Sequence, residues 1–238
     1  MSGDYKKFTP QSLARYMDHT QLKAQALRGD LEKLCGEAAA YHCKTVAVNP
    51  VQVGFCASLL KDLNVAQAAD VLICATAGFP LGQNSIAIKA AEALEAIGNG
   101  AAEIDYVVNI TELKEKNYAY VEQEMARMVE LCRERGVLSK VIFENCYLSD
   151  GEKGELCRIA LAVGPDFIKT STGFGSGGAV LDDVRLMKGI VGDRIKVKAA
   201  GGIRSLDTAL EMIEAGAGRI GTSAATVIVD ELKERLRG

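Results

Sequence analysis

Histidine is scarce in this chain, and its scarcity limits the metal sites that the chain can form. The 238 residues contain two histidines, His19 and His42, so a zinc site built on several histidines is excluded. Seven cysteines are present, but their number is odd, their spacing is irregular and no Cys-x-x-Cys pair occurs. This pattern favours buried thiols in a reducing compartment over a disulfide framework, and we expect a cytoplasmic protein.

Long apolar runs and a surplus of one charge are also missing. No segment is long enough to cross a bilayer, and residues 1–7 lack the apolar stretch of a signal peptide. The 28 basic and 31 acidic residues give a net charge of −3 with both signs interspersed, which argues against a nucleic-acid or polybasic membrane surface. Low-complexity tracts are absent as well. We predict one domain over residues 1–238.

What the sequence does contain is an alternation of short β-branched runs and amphipathic helical segments. Residues 44–49 form one such run, and residues 103–109 form another. The alternation recurs about eight times, at about 25 to 30 residues per unit, which favours a single (β/α)8 TIM barrel over an open sheet. Thr9 and Pro10 predict a short extra helix before the barrel. In such barrels the active site lies at the carboxyl ends of the strands.

The stretch from Gly164 to Gly178 carries the strongest chemical signal. Phe167 and Ile168 predict a buried strand, and Lys169 follows them, before small hydroxyl residues and a glycine cluster. Burial penalises the ammonium form of a lysine, which lowers its pKa and frees the amine to attack a carbonyl. The competing interpretation is a lysine at the end of an edge strand that extends into water.

Two other residues strengthen the first interpretation. Lys198 lies on the next predicted strand, and two ammonium groups in one buried site repel, so one of them loses its proton more readily. Asp105 lies inside a β-branched run, where a carboxylate needs a partner such as a lysine. Asp105 and Lys198 would form a proton-relay pair beside a nucleophilic Lys169. The competing interpretations are a solvated pair of lysines and a salt bridge that only stabilises the barrel.

Two glycine loops predict an anion site at the same end of the barrel. Residues 201–204 and residues 221–223 each follow a predicted strand and precede a helix, where backbone N–H groups bind phosphate. The cluster from Gly173 to Gly178 matches the dinucleotide pattern G-x-G-x-x-G. It lies late in the chain rather than in a first βαβ unit, so we interpret the match as coincidental.

Six segments, taken in order, resemble those of the deoxyribose-phosphate aldolase family, and the resemblance covers nearly the whole chain. The segments are residues 18–20, 46–50, 75–80, 103–109, 167–174 and 196–204. The resemblance implies a class I aldolase on a (β/α)8 barrel. Its reaction would be the reversible cleavage of 2-deoxy-D-ribose 5-phosphate to acetaldehyde and D-glyceraldehyde 3-phosphate, without a metal or other cofactor. The implied partners are these small molecules and a second copy of the chain in a homodimer.

The resemblance also implies roles for single residues. Lys169 would form the Schiff base, Lys198 would perturb it, and Asp105 would be the proton-relay acid. Asp18 and Thr20 would lie near a substrate hydroxyl. The substrate-binding set is expected to be Asp18, Thr20, Thr170, Gly173, Gly201, Gly202, Arg204, Gly221 and Ser223.

Three positions depart from the family pattern. Ala47 stands where many relatives carry cysteine, and Phe174 stands where some carry lysine. No tyrosine follows Tyr147, whereas some relatives use a terminal tyrosine in proton transfer. The first departure bears on tolerance of aldehydes, and the other two bear on rate and affinity.

Three competing functions stay open on the sequence alone. One is another phosphosugar lyase or isomerase on the same barrel, because a fold does not set its substrate. Another is a nucleotide-binding oxidoreductase that uses the glycine cluster from Gly173 to Gly178. A catalytically silent scaffold is the third, and the presence of both lysines and the buried acid disfavours it.

Overall fold

Eight parallel strands close into a barrel in chain order, with the last strand paired to the first. The computed structural model describes residues 5–238; residues 1–4, part of the segment for which the sequence predicts no signal peptide, lie outside the described residues. The strands are β1 (Met17–Gln21), β2 (Thr45–Val48), β3 (Leu72–Ala77), β4 (Glu103–Val107), β5 (Leu138–Ile142), β6 (Phe167–Lys169), β7 (Lys196–Ala200) and β8 (Ala217–Thr222). The predicted (β/α)8 barrel is confirmed.

Helices surround the barrel and alternate with its strands. They are α1 (Pro10–Ala14), α2 (Arg28–Tyr41), α3 (Val53–Ala66), α4 (Ile86–Gly98), α5 (Ile110–Lys114), α6 (Tyr118–Glu134), α7 (Asp150–Val163), α8 (Leu181–Val191), α9 (Leu206–Glu214) and α10 (Ala225–Arg237). Short 3-10 helices occupy Tyr5–Lys7, Pro50–Gln52 and Asn145–Tyr147. None of the described helices is both long and apolar enough to cross a membrane.

The predicted N-terminal helix is confirmed as α1, and the main differences from the sequence predictions concern element boundaries. The Thr9 hydroxyl caps α1 by accepting the Ser12 N–H at 3.0 Å. The sequence predicts Asp30 as the cap of α2, but the helix begins at Arg28, and the Asp30 carboxylate accepts the Leu27 N–H at 2.9 Å. An acid at the third helical position can satisfy a backbone donor even where the capping residue has no polar side chain.

Alternation along each strand separates a charged barrel interior from an apolar outer layer. On β4, Ile104 and Tyr106 are buried in the apolar core. Asp105 lies between them and faces the barrel interior, where it contacts lysines of three other strands. The outward-facing side chains form the main core, and each fully buried aliphatic residue stabilises the fold by about 1.5–3 kcal/mol.

A buried ion pair outside the barrel holds the end of β4. Lys89 on α4 donates to the Glu124 carboxylate at 2.6 Å and to the Val107 carbonyl at 2.7 Å. Glu124 on α6 also accepts the Asn109 N–H at 2.8 Å. Both side chains are fully buried. Burial lowers the pKa of Lys89 and raises the pKa of Glu124, although each partner opposes the shift. The pair therefore fixes the backbone two to four residues beyond Asp105.

Removing one member of this pair is expected to destabilise the barrel. In Lys89→Met the Glu124 carboxylate stays buried without its cation, so the free energy of unfolding should fall by about 3–5 kcal/mol. The double variant Lys89→Met/Glu124→Gln removes both charges and should recover part of that loss, as measured by urea unfolding. Equal losses in the single and double variants would show instead that the bond to the Val107 carbonyl dominates.

Candidate active site

The barrel interior contains a closed ring of six side chains with alternating charge, which we call the charge ring. Going round it, the contacts are Asp105–Lys140 at 2.8 Å, Lys140–Glu103 at 2.6 Å, Glu103–Arg219 at 2.9 Å, Arg219–Asp18 at 2.7 Å, Asp18–Lys198, and Lys198–Asp105 at 2.8 Å. All six residues are buried. Three carboxylates therefore balance three cations, and the ring is electrically neutral.

Lys169 is a seventh ionisable side chain, in contact with this neutral ring. Its Nζ lies 2.7 Å from Asp105 Oδ2, and the residue is 3% exposed. Burial lowers the pKa of Lys169, and the Lys198 charge lowers it further, against the opposing effect of Asp105. A protonated Lys169 would leave the buried cluster with one excess positive charge, because Asp105 already pairs with Lys140 and Lys198. The environment favours the neutral amine, which is the nucleophilic form.

The pKa of Lys198 is shifted in the opposite direction, although Lys198 is buried like Lys169. Burial acts to lower the pKa of Lys198, but Asp105 and Asp18 outweigh it and hold this pKa above its ordinary value. Burial likewise acts to raise the pKa of Asp105, but Lys140, Lys169 and Lys198 hold it well below its usual range. Asp105 therefore contacts two lysines whose pKa values are shifted in opposite directions, upward for Lys198 and downward for Lys169.

Three members of the charge ring were missed by reasoning from the sequence. Glu103, Lys140 and Arg219 lie on β4, β5 and β8, with Lys140 opposite Asp105 and Arg219 opposite Lys198 in the sheet register. Glu103 precedes Asp105 by two positions and so shares its face, a signal that the sequence offered. For Lys140 and Arg219 the signal was a single charge in an otherwise apolar run, which does not tell which side of the strand faces the barrel interior.

A cysteine also contacts Asp105 of the charge ring. The Cys74 thiol on β3 donates to Asp105 Oδ1 at 3.0 Å, and Lys140 lies 3.3 Å from the sulfur. Burial raises the pKa of Cys74 to about 12, so it stays a protonated thiol at neutral pH. The thiol therefore acts as a hydrogen-bond donor to the carboxylate.

A cavity of about 310 Å³ opens above Lys169 at the carboxyl ends of the strands. It brings most of the predicted residues together: the lining includes Thr20, Asp105, Lys169, Gly173, Lys198, Gly201, Gly202, Arg204, Gly221 and Ser223. Asp18 and Thr170 do not line it. Asp18 is fully buried in the charge ring, and the Thr170 hydroxyl bonds the Ala200 backbone N–H and carbonyl at 3.2 and 3.3 Å. In this structure both residues contact β7: Asp18 pairs with Lys198, and Thr170 bonds Ala200.

The rim of the cavity is formed by glycine-rich loops after β6, β7 and β8. Gly201 has a φ of +90°, and a Cβ there would lie 2.9 Å from the Gly178 Cα. Close contact between two backbones thus explains part of the glycine cluster without a dinucleotide. The loop after β6 is held by Glu144, itself in a left-handed conformation, whose carboxylate accepts the Thr172 N–H at 3.1 Å. Backbone N–H groups in such loops are the donors that bind phosphate.

Comparison with known proteins decides the family. The model of the DeoC/LacD family aldolases matches residues 12–226. The chain belongs to this family. It is 53% identical over 231 residues to the deoxyribose-phosphate aldolase of Lactobacillus acidophilus, covering 97% of this chain and 95% of that one. It is 49% identical over 220 residues to the enzyme of the same name from Thermococcus kodakarensis, covering 92% and 96%.

Solved structures agree with this family assignment. The structure of "QR15, an Aldolase" superposes with a TM-score of 0.86 at 39% identity, covering 94% of this chain and 97% of that one. The deoxyribose phosphate aldolase from Aeropyrum pernix, described as a unique tetramer, gives 0.86 at 31% identity, covering 95% and 93%. The fold of this DeoC/LacD aldolase is therefore the family fold over nearly its whole length.

The charge of Lys198 should control the protonation of Lys169. In Lys198→Leu the neighbouring cation is lost, so the pKa of Lys169 rises and less neutral amine is present at pH 7. Labelling of Lys169 by an amine-reactive ester, followed by mass spectrometry, should slow about tenfold or more at pH 7 and recover at higher pH. Lys196→Leu is the matched control, because Lys196 is an exposed lysine on the same strand. An unchanged pH profile in Lys198→Leu would contradict the expected coupling.

Proposed function

We propose that this protein is a class I aldolase that reversibly cleaves 2-deoxy-D-ribose 5-phosphate to acetaldehyde and D-glyceraldehyde 3-phosphate. The observation that carries the proposal is the amine of Lys169, buried beside a neutral charge ring at the base of the cavity. The relatives named deoxyribose-phosphate aldolase support the substrate. The glycine loops at the rim supply donors suited to its phosphate.

In the direction of synthesis, the proposed reaction begins at Lys169. The neutral amine attacks the carbonyl carbon of acetaldehyde, a C–N bond forms as the C=O π bond breaks, and a proton passes from the nitrogen to the oxygen to give a neutral carbinolamine. A second proton, delivered through Asp105 and Lys198, lets the hydroxyl leave as water and a C=N⁺ iminium form. The carboxylate lies 2.7 Å from Lys169 and 2.8 Å from Lys198, within reach of both groups.

The iminium then acts as an electron sink. Loss of a methyl proton to the relay of Asp105 and Lys198 gives an enamine. Its terminal carbon attacks the carbonyl carbon of glyceraldehyde 3-phosphate, the new C–C bond forms as the C=O π bond breaks, and the oxygen takes a proton back from the relay to become a hydroxyl. Hydrolysis of the resulting iminium releases the product and restores the neutral amine. The positive iminium nitrogen supplies the polarisation that a metal ion supplies in metal-dependent aldolases.

We assign the phosphate to the rim. Gly173, Gly201, Gly202, Gly221 and Ser223 line the cavity there, with Arg204 beside them. Phe174, also in the lining, offers no charge, so backbone N–H groups must contribute more of the binding. We further propose that residues 1–238 form one domain. We also propose a cytoplasmic location, which the free thiols of all seven cysteines support. Finally, we propose a homodimer, which light scattering tests.

One assay with a trapping experiment tests the function. The protein should release acetaldehyde from 2-deoxyribose 5-phosphate, measured by coupled reduction of the aldehyde. Borohydride added with acetaldehyde should leave a reduced two-carbon adduct on Lys169. Lys169→Leu should abolish turnover and trapping, and Lys198→Leu should reduce turnover severely. An adduct on another residue, or none, would falsify the scheme. Cleavage of another phosphosugar alone would indicate a different lyase of the same fold.

Ala47 leads to a separate prediction. It lines the cavity and is buried, and a cysteine at this place would put a thiol within reach of reactive aldehydes. The wild-type enzyme should therefore keep its activity during prolonged incubation with acetaldehyde better than Ala47→Cys does, with a several-fold difference in half-life. Ala47→Ser is the control that changes size without a thiol. Equal rates of inactivation in all three proteins would contradict the prediction.

A further inference from the structure

One hydroxyl in the cavity wall has no partner among the described residues. Four threonines line the cavity: Thr20, Thr76, Thr172 and Thr222. Three of them donate to protein acceptors, namely Thr20 to the Asp18 carbonyl at 2.8 Å, Thr172 to the Glu144 carboxylate, and Thr222 to the Ile203 carbonyl at 2.7 Å. Thr76 is 1% exposed, and its Oγ1 bonds none of the residues that the structure describes. A buried hydroxyl without a partner is unfavourable, so this group is available to a ligand.

Thr76 lies next to the reacting amine. It is on β3, and its Cα partner on β4 is Asp105. Cys74, two residues earlier on the same face, donates to Asp105, which shows that this face of β3 points at the carboxylate. Asp105 in turn lies 2.7 Å from the Lys169 amine. The Thr76 hydroxyl is therefore at the level of Asp105, where the atoms first bonded to Lys169 must lie.

We propose that the Thr76 hydroxyl hydrogen-bonds the oxygen on the carbon that Lys169 attacks. The inference rests on the proposed function and adds a catalytic residue to it. Thr76 donates to the carbonyl oxygen as the C–N bond forms and the C=O π bond breaks. It then holds the carbinolamine hydroxyl while the relay through Asp105 and Lys198 protonates it, the C–O bond breaks and water leaves. Thr76 itself neither gains nor loses a proton.

The absence of a structural partner in the described chain makes the test sharp. Thr76→Val replaces the hydroxyl with a methyl of similar size, breaks no hydrogen bond of the described residues, and should not lower the midpoint of thermal unfolding. It should lower kcat/KM for cleavage about 10- to 100-fold and slow cyanoborohydride trapping of acetaldehyde on Lys169 by a similar factor. Thr76→Ser keeps the hydroxyl and should stay within about threefold of the wild type.

A neighbouring threonine provides the comparison for stability. The Thr45 hydroxyl on β2 donates to Asp18 Oδ1 at 2.7 Å, so it has a structural partner in the charge ring. Thr45→Val should lower the unfolding midpoint, whereas the same change at Thr76 should not. If Thr76→Val fails to fold, a purely structural role is indicated and the proposal is overturned, unless Thr76→Ala folds and shows the expected kinetic loss.

The outcomes separate this inference from the proposed function. A wild-type protein without aldolase activity would overturn the proposed function, and this inference with it. An active wild type with unchanged trapping in Thr76→Val would overturn the inference alone. Loss of sugar phosphate cleavage with unchanged acetaldehyde trapping would assign the hydroxyl to a sugar oxygen instead. A shifted pH profile with an unchanged maximal rate would show that Thr76 acts on Asp105, which would also overturn direct contact.

Discussion

The structure depends on charge balance inside the barrel. A buried ion costs several kcal/mol unless an opposite charge compensates it, and in the charge ring each ion has two opposite neighbours. The contact between Lys169 and Asp105 would by itself favour an ammonium group. Asp105 already pairs with two other lysines, Lys140 and Lys198. It therefore stabilises the ammonium form of Lys169 less than a carboxylate paired with Lys169 alone would. A reactive amine can therefore lie against a carboxylate and still favour its neutral form.

The charge ring can form only when the barrel is closed. Arg219 on β8 contacts Asp18 on β1, although 201 residues separate them along the chain. The same two strands pair in the sheet, with Asp18 opposite Gly221. An open sheet would leave Asp18 and Arg219 at opposite edges and would break the ring. Activation of the amine is therefore a property of the closed barrel and not of the β6 strand that carries Lys169.

The strands, most helices and the three central residues Asp105, Lys169 and Lys198 were predictable from the sequence, because their signals are local. A lysine after two buried apolar residues, and an acid inside a β-branched run, are unfavourable unless they have partners. The partners themselves were not predictable in the same way, because Lys140 and Arg219 are identified only once register and closure fix which side chains share a layer. The burial of Asp18 away from the cavity was unpredictable for the same reason, since its charged partners, Lys198 and Arg219, come from β7 and β8. Helix α5 is too short, at five residues, to give a periodic signal.

The rim and the ring are held by separate sets of bonds. Glu144 holds the loop after β6, and the Lys89–Glu124 pair holds the backbone after β4, and none of these residues belongs to the charge ring. Ala47 and Phe174 line the cavity and likewise lie outside the ring. A substitution at the rim or wall can therefore change how an aldehyde or a phosphate is bound without unbalancing the buried charges. A charge change at Asp105 or Lys198, by contrast, is expected to shift the pKa of Lys169, so the chemistry of the amine constrains these ring positions more tightly than the cavity wall.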